Sequence, residues 1–197
     1  MMSVSQIIMN SQMAHYGDMA LAGAVVAMKE TMMTGMVCIG LGQGIQPLLG
    51  YCVEVKKWDR HKEILQISLV FAFLLSTAVT GICYIFTEQI VRIFLTNHEA
   101  LHFGVSFSRI LLCTSFLFGI FFVLLNALQA CGAAMESLIV NVSRQGLIYI
   151  LALFILNAFF RENGLFWAQP IVDILSLILA IVLYSNNSKQ LLHGMQQ

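Results

Sequence analysis

The sequence predicts an all-α protein, a polytopic bundle of membrane-spanning helices, and three observations carry that expectation. Of its 197 residues, 59% are hydrophobic and only 10% are Asp, Glu, Lys or Arg. A soluble domain carries near ~25% charged residues, so a globule of this length would lack the polar surface that water requires. The mean hydropathy is +0.84, and long apolar runs recur from one end of the chain to the other. These runs are continuous rather than alternating, which favours helices over barrel strands. A soluble enzyme is excluded. Ten basic and ten acidic residues give a net charge of zero, which leaves no excess to neutralise a phosphate backbone, so nucleic acid is not an expected partner.

A helix needs ~20 apolar residues to cross the ~30 Å hydrocarbon core. The first apolar stretch, about Met1 to His15, is too short to span and reads as a helix entered part-way. It has neither a basic leader nor a small-residue cleavage site, so it is not a signal peptide. A turn is expected at His15-Tyr16-Gly17-Asp18, followed by full spans over 20–49, 64–86, 104–131, 137–160 and 165–185. Between the second and third of these, Gln89–Leu95 predicts a short interfacial helix with Arg92 snorkelling to the headgroups. Residues 1–185 form one lobe, and 186–197 a polar, frayed tail.

Lys and Arg beside the membrane set the orientation. The connection Tyr51–Glu63 holds Lys56, Lys57, Arg60 and Lys62 and is placed in the cytoplasm. The connections near Gly17, Thr87–Phe103 and Arg161–Gly164 then face outward, and the tail with Lys189 faces inward. Both termini are cytoplasmic if the first helix is completed, giving six helices.

Polar groups inside spans are costly, so they face protein or water rather than lipid. The first full span carries Lys29 and Glu30, then a glycine cluster in which Gly40 and Gly44 make a GxxxG step for close helix approach, and Pro47, which removes a backbone donor. Span 104–131 contains Arg109, Asn126 and Gln129; span 137–160 contains Asn141, Arg144 and Gln145; span 165–185 contains Gln169, Pro170 and Asp173. Asp173 lies about eight residues from one end of its span and Arg144 about seven from the end of its own, so their depths differ by less than ~10 Å. They can meet, either as a structural ion pair or as part of a cation- or substrate-linked site. The five cysteines form no CxxC pair and read as small packing hydrophobes. The histidines fall at loops and edges without a ligand shell, so no metal site is expected.

Several of these stretches resemble the C-terminal half of the multidrug and toxic compound extrusion (MATE) transporters. Gly42-Gln43-Gly44-Ile45-Gln46-Pro47-Leu48-Leu49-Gly50-Tyr51 is similar to the end of the family's eighth helix, and the basic segment through Lys57, Arg60 and Lys62 to the loop after it. Asn126-Ala127-Leu128-Gln129-Ala130-Cys131-Gly132 resembles the end of the tenth helix. Ser143-Arg144-Gln145 and then Gly164-Leu165-Phe166-Trp167-Ala168-Gln169-Pro170-Ile171-Val172-Asp173 resemble helices eleven and twelve. The matches keep family order and spacing over nearly the whole chain. Where family members follow Gly-Tyr with a glycine-containing polar stretch, this chain has Cys52-Val53-Glu54-Val55, and span 104–131 lacks the carboxylate that sodium-coupled members place there.

The resemblance implies one six-helix lobe of a two-lobe carrier in a bacterial inner (plasma) membrane. It implies export of small organic, often cationic compounds by alternating access, coupled to H⁺ or Na⁺, with no other cofactor. The partners it implies are the lipid bilayer and a missing N-terminal lobe or a second copy of this chain, without which transport is not expected. Candidate pathway residues are Lys29, Glu30, Asn126, Gln129, Arg144, Gln169 and Asp173; Gly40, Gly44 and Pro47 are candidates for helix packing and bending. Two alternatives stay open at this point. One is a non-transporting interaction protein that dimerises through its glycine-rich helix. The other is a lobe related to lipid-linked oligosaccharide flippases, which predicts a basic cavity lined by Lys29, Arg109 and Arg144.

Overall fold

The computed structural model describes residues 2–14 and 17–193. Among them every element is helical: α1 (Met2–Ala14), α2 (Asp18–Glu54), α3 (Trp58–Phe94), α4 (His98–Ser115), α5 (Phe118–Ala130), α6 (Ala134–Val142), a π-helical turn (Ser143–Leu147) and α7 (Ile148–His193). Among the described residues, four stretches are long and apolar enough to cross a membrane, and α4 with α5 makes a fifth if the pair counts as one bent span. The expected turn residues His15 and Tyr16 lie outside the described residues, as do 194–197 of the tail.

Side-chain distribution on α3 shows what solvent the bundle is built for. Its buried residues include Ser68, Ala72, Ser76, Thr80 and Thr87, small or weakly polar and mostly one turn apart. Ile67, Phe71, Leu74, Ile82, Ile85 and Phe86 are exposed instead. Lipid tails are as apolar as leucine, so large hydrophobes gain little by turning inward, and small residues let helix backbones approach. At 37 residues each, α2 and α3 are about 55 Å long and outreach the hydrocarbon core. The interfacial helix expected over Gln89–Leu95 is the C-terminal end of α3, which runs unbroken to Phe94. Arg92 there pairs with Glu88, one turn earlier and also exposed.

The expected span over 104–131 is broken. α4 and α5 meet at Phe116–Leu117 with a 48° bend. Ser115 Oγ donates back to Leu111 O, which weakens the last turn of α4, and Ser76 Oγ of α3 donates to Phe116 O at 2.6 Å. Gly119 packs its Cα face onto the carbonyl of Ala72. The break is therefore held by α3 from outside.

The Arg161–Gly164 connection expected between the last two spans has helical backbone and belongs to α7. The chain nonetheless doubles back between Leu153 and Ala168, which share one core, and Arg144 and Asp173 are bonded at 3.0 Å although 29 residues apart; a straight helix would separate them by about 43 Å. Tyr149 and Leu153 share one core with Ala168 and Val172, together with Met9, Ala24, Ala27 and Phe107 from α1, α2 and α4. The tail expected to fray continues as helix to His193.

Close approaches occur, but not at the expected glycines. A Cβ on Gly23 would lie 2.7 Å from Gly104 N, and one on Gly42 2.5 Å from Asn126 Nδ2. Gly40 and Gly44 are exposed with nothing within 4 Å, because they sit on the face of α2 that this chain leaves uncovered. Pro47 is also exposed, inside α2, which continues past it to Glu54. His61, read as a loop residue, is buried: its Nδ1 lies 3.4 Å from Leu49 O and its Nε2 3.1 Å from the Tyr184 hydroxyl. A neutral ring satisfies both, donating from Nδ1 and accepting at Nε2, and joins α2, α3 and α7 at one end of the bundle. Gly119→Ala is expected to lower stability by about 1–3 kcal/mol through overpacking. Gly40→Ala and Gly44→Ala should stay within about 0.5 kcal/mol of the parent; thermal unfolding of the purified protein in detergent reads the contrast.

Candidate functional site

The π-helical turn Ser143–Leu147 places the central residue of the site. Its closing bond runs from Ile148 N–H to Ser143 O, five residues back rather than four. The extra residue in that turn rotates the helix beyond it and is a device often found at functional positions. Arg144 lies inside this turn and is buried.

Arg144 Nε donates to Asp173 Oδ1 at 3.0 Å, and its Nη2 lies 3.0 Å from the same oxygen. Gln169, one turn before Asp173 on α7, donates to that oxygen from Nε2 at 3.2 Å. The second carboxylate oxygen, Oδ2, is buried with no hydrogen-bond partner among the described residues. Around the guanidinium stand three rings of α5, with centroids at 4.8 Å (Phe118), 4.5 Å (Phe121) and 5.6 Å (Phe122). Each face-on ring attracts the cation through its quadrupole. The cage exists because α5 starts afresh at Phe118, after the break.

Beside the pair lies a cavity of about 280 Å³. Met9 of α1 and Met28, Met32 and Met36 of α2 form much of its wall. The α2 methionines recur every fourth residue and so share one helix face. Methionine is flexible and polarisable, which suits a wall that must adapt to differently shaped aromatic or aliphatic ligands. Arg144, Gln145, Tyr149 and Gln169 supply the polar side, and Phe118 and Phe122 complete it.

A second buried charge stands apart from this cavity. Glu30 on α2 is 3% exposed, and neither carboxylate oxygen has a hydrogen-bond partner among the described residues. Ser108 of α4 lies beside it with its own hydroxyl also unsatisfied. A bare carboxylate in such surroundings is strongly penalised unless it is protonated or neutralised by a cation.

The structure thus brings together Arg144, Gln169 and Asp173 of the residues singled out in the sequence. Glu30 is buried on its own, and the adjacent Lys29 is exposed. Asn126 donates to its own helix at Phe122 O and packs over Gly42; Gln129 donates to Ser137 Oγ. Both belong to the packing between α2, α5 and α6 rather than to the cavity. Arg109 is exposed and lies over the Tyr84 ring at 5.9 Å. Of the three basic residues that a flippase-like cavity would need, only Arg144 lines this one. Sequence reading missed the methionine face, for which the 28–32–36 spacing was the available signal. It also missed the phenylalanine cage and the π-turn, which depend on the α4–α5 break and on hydrogen-bond register and leave no pattern in composition.

Apolar helices that bury small and polar side chains around a caged ion pair and an apolar cavity make an integral membrane protein of the carrier type. The comparisons with known proteins agree: the family model described as MatE matches residues 1–155, and the chain belongs to that family. It is 25% identical over 186 residues to the multidrug export protein MepA of Staphylococcus haemolyticus, covering 94% of this chain and 41% of that protein. The MepA of Staphylococcus aureus strain NCTC 8325 / PS 47 is 24% identical over 183 residues, covering 93% and 40%. Among solved structures, the MATE transporter VcmN of Vibrio cholerae in its bent form superposes with a TM-score of 0.87 at 15% identity, covering 96% of this chain and 43% of that one. The MATE multidrug transporter DinF-BH superposes with a TM-score of 0.79 at 31% identity, covering 93% and 42%. The chain therefore spans about two fifths of the length of the relatives it matches, as expected of a C-terminal half.

Arg144→Ala is expected to destabilise the protein by about 3–5 kcal/mol, because it strands the Asp173 charge in the interior. Replacing both partners by apolar residues of similar volume, Arg144→Met with Asp173→Leu, should restore most of that loss. Denaturation midpoints of the three proteins in the same detergent measure the difference.

Proposed function

We propose that this chain works as the C-terminal lobe of a multidrug efflux antiporter, exporting small amphipathic organic compounds by alternating access in exchange for H⁺ or Na⁺. The family and the MepA relatives support the export reading. The observation that carries the coupling is Glu30, a carboxylate buried with no hydrogen-bond partner among the described residues. Such a group changes its charge when it gains or loses a cation, and that change couples ion movement to the packing of α2 against α4. The methionine-walled cavity is the part of the pathway that this lobe contributes.

The transport cycle requires a second lobe to close the cavity from the other side. The uncovered face of α2, with Met33, Val37, Gly40, Gly44 and Tyr51 exposed, is the surface on which an N-terminal lobe or a second copy would seat. In an efflux-deficient bacterium, this chain alone is expected to produce no energy-dependent export of ethidium. Co-expressed with the N-terminal half of a MatE-family relative, it should lower ethidium accumulation, and Glu30→Gln should abolish that gain at equal membrane abundance. Energy-dependent export by the chain alone would show the two-lobe reading to be wrong.

A further inference from the structure

We infer that His61 is a proton-sensitive clasp, fastening the end of α7 to the α2–α3 turn while its ring is neutral and releasing it on acidification. The clasp stands independently of the export reading, and none of its residues lines the cavity.

The imidazole is 1% exposed, at the end of the bundle where the Tyr51–Glu63 connection carries its basic residues. Three helices converge on it. From α2, Leu49 presents a backbone carbonyl 3.4 Å from Nδ1, and from α7 the Tyr184 hydroxyl lies 3.1 Å from Nε2. Trp58, one turn earlier on α3, lies beside the ring at a centroid distance of 5.3 Å. A carbonyl can only accept, so Nδ1 carries the proton, Nε2 offers its lone pair, and Tyr184 donates to it. The same tyrosine packs on the core formed by Leu49, Leu65, Ala72, Val123 and Ala127. One ring therefore fastens α7 through a directional bond whose sense depends on its protonation state.

A proton on Nε2 turns that acceptor into a donor, and the Tyr184 O–H must turn away. The cation formed would need a counter-charge, and among the described residues no carboxylate pairs with the ring. The titratable groups buried or half-buried at this end are Cys52 on α2, Tyr184 on α7 and Cys131 after α5, beside Tyr184. None of them is anionic near neutral pH. Glu54, Asp59 and Glu63 are exposed, as are Lys56, Lys57, Arg60 and Lys62, so these opposing charges act through water and are screened.

His61 precedes the span expected over 64–86. Burial pushes its ring below the ordinary histidine range, and the bond to Leu49 opposes that shift. Once released, the ring takes up a proton at about pH 6.5, whereas the fastened ring takes it up only at lower pH. The stability that the clasp contributes is therefore complete above about pH 6.5 and is lost as pH falls toward the fastened value. Each pH unit in that window favours release roughly tenfold.

The chain has two tryptophans, Trp58 and Trp167, so Trp167→Phe leaves one indole, next to His61, whose emission a protonated imidazole quenches. In nanodiscs that emission is expected to fall with a midpoint below about pH 6.5. Hydrogen exchange over residues 176–187, corrected for the intrinsic rate, should rise about tenfold between about pH 7.5 and about pH 5.5. His61→Gln keeps an amide that can donate to Leu49 and accept from Tyr184 without titrating, and should remove both responses. Tyr184→Phe deletes one bond while filling the core, and should speed exchange over 176–187 already at about pH 7.5. Glu30→Gln should keep both responses. A quenching midpoint at or above about pH 6.5, exchange that is indifferent to pH, or the same responses in His61→Gln overturns the clasp. Their loss in Glu30→Gln overturns it too, by assigning the response to that carboxylate.

Discussion

The ion pair between Arg144 and Asp173 constrains more of this molecule than any other contact. Moving two charges out of water carries a penalty of several kcal/mol per ion. The pair persists because the guanidinium is held by Asp173 and by three phenylalanine rings at once, and because Gln169 supports the carboxylate from its own helix. Each of those supports depends on a different piece of backbone. The rings require that α5 restart after the break at Phe116–Leu117. Arg144 sits where a π-turn shifts the register of the helix, and Asp173 arrives only if the chain doubles back within α7.

The second organising feature is the use of small residues where helices meet. Ser76 serves two purposes on α3: its hydroxyl takes up the carbonyl freed at the α4–α5 break, and its size admits Gly119. Ala72 and Gly119 bring the two backbones into direct contact at the same level. The result is a joint stabilised from outside rather than a flexible hinge. It aims Phe118, Phe121 and Phe122 at one point. Packing in lipid thus governs the electrostatics of the interior, since without that joint the guanidinium would lose its cage.

Two buried acidic groups occupy different environments. Asp173 is held by a permanent cation and an amide, so its charge is accommodated by the fold. Glu30 has Ser108 beside it, and neither of its carboxylate oxygens has a hydrogen-bond partner among the described residues. The first charge is fixed by its partners, whereas the second has no such hydrogen-bond partner among the described residues. The two stand on different helices, Asp173 on α7 paired with Arg144 and Glu30 beside Ser108 at the contact of α2 with α4.

The sequence by itself determined the helical class, four of the five full spans and the similar depth that lets Arg144 and Asp173 meet, because hydropathy and the cost of intramembrane charge are local properties that depth arithmetic can compare. The family resemblance lay in ordered motifs such as Gly42–Tyr51 and was legible for the same reason. Sequence also marked Gly40 and Gly44, but a GxxxG step states only that a helix can be approached, and the packing partners went to Gly23, Gly42, Gly104 and Gly119 instead. Asn126 and Gln129 looked equal to Gln169 as buried polar residues, yet their partners are Phe122 O and Ser137 on the packing side. Only the tertiary structure decided the break in the third full span, the burial of His61 between Leu49 and Tyr184, the phenylalanine cage and the cavity. Each of these depends on which helix faces which at what rotation, a relation between distant segments that no local window of sequence contains.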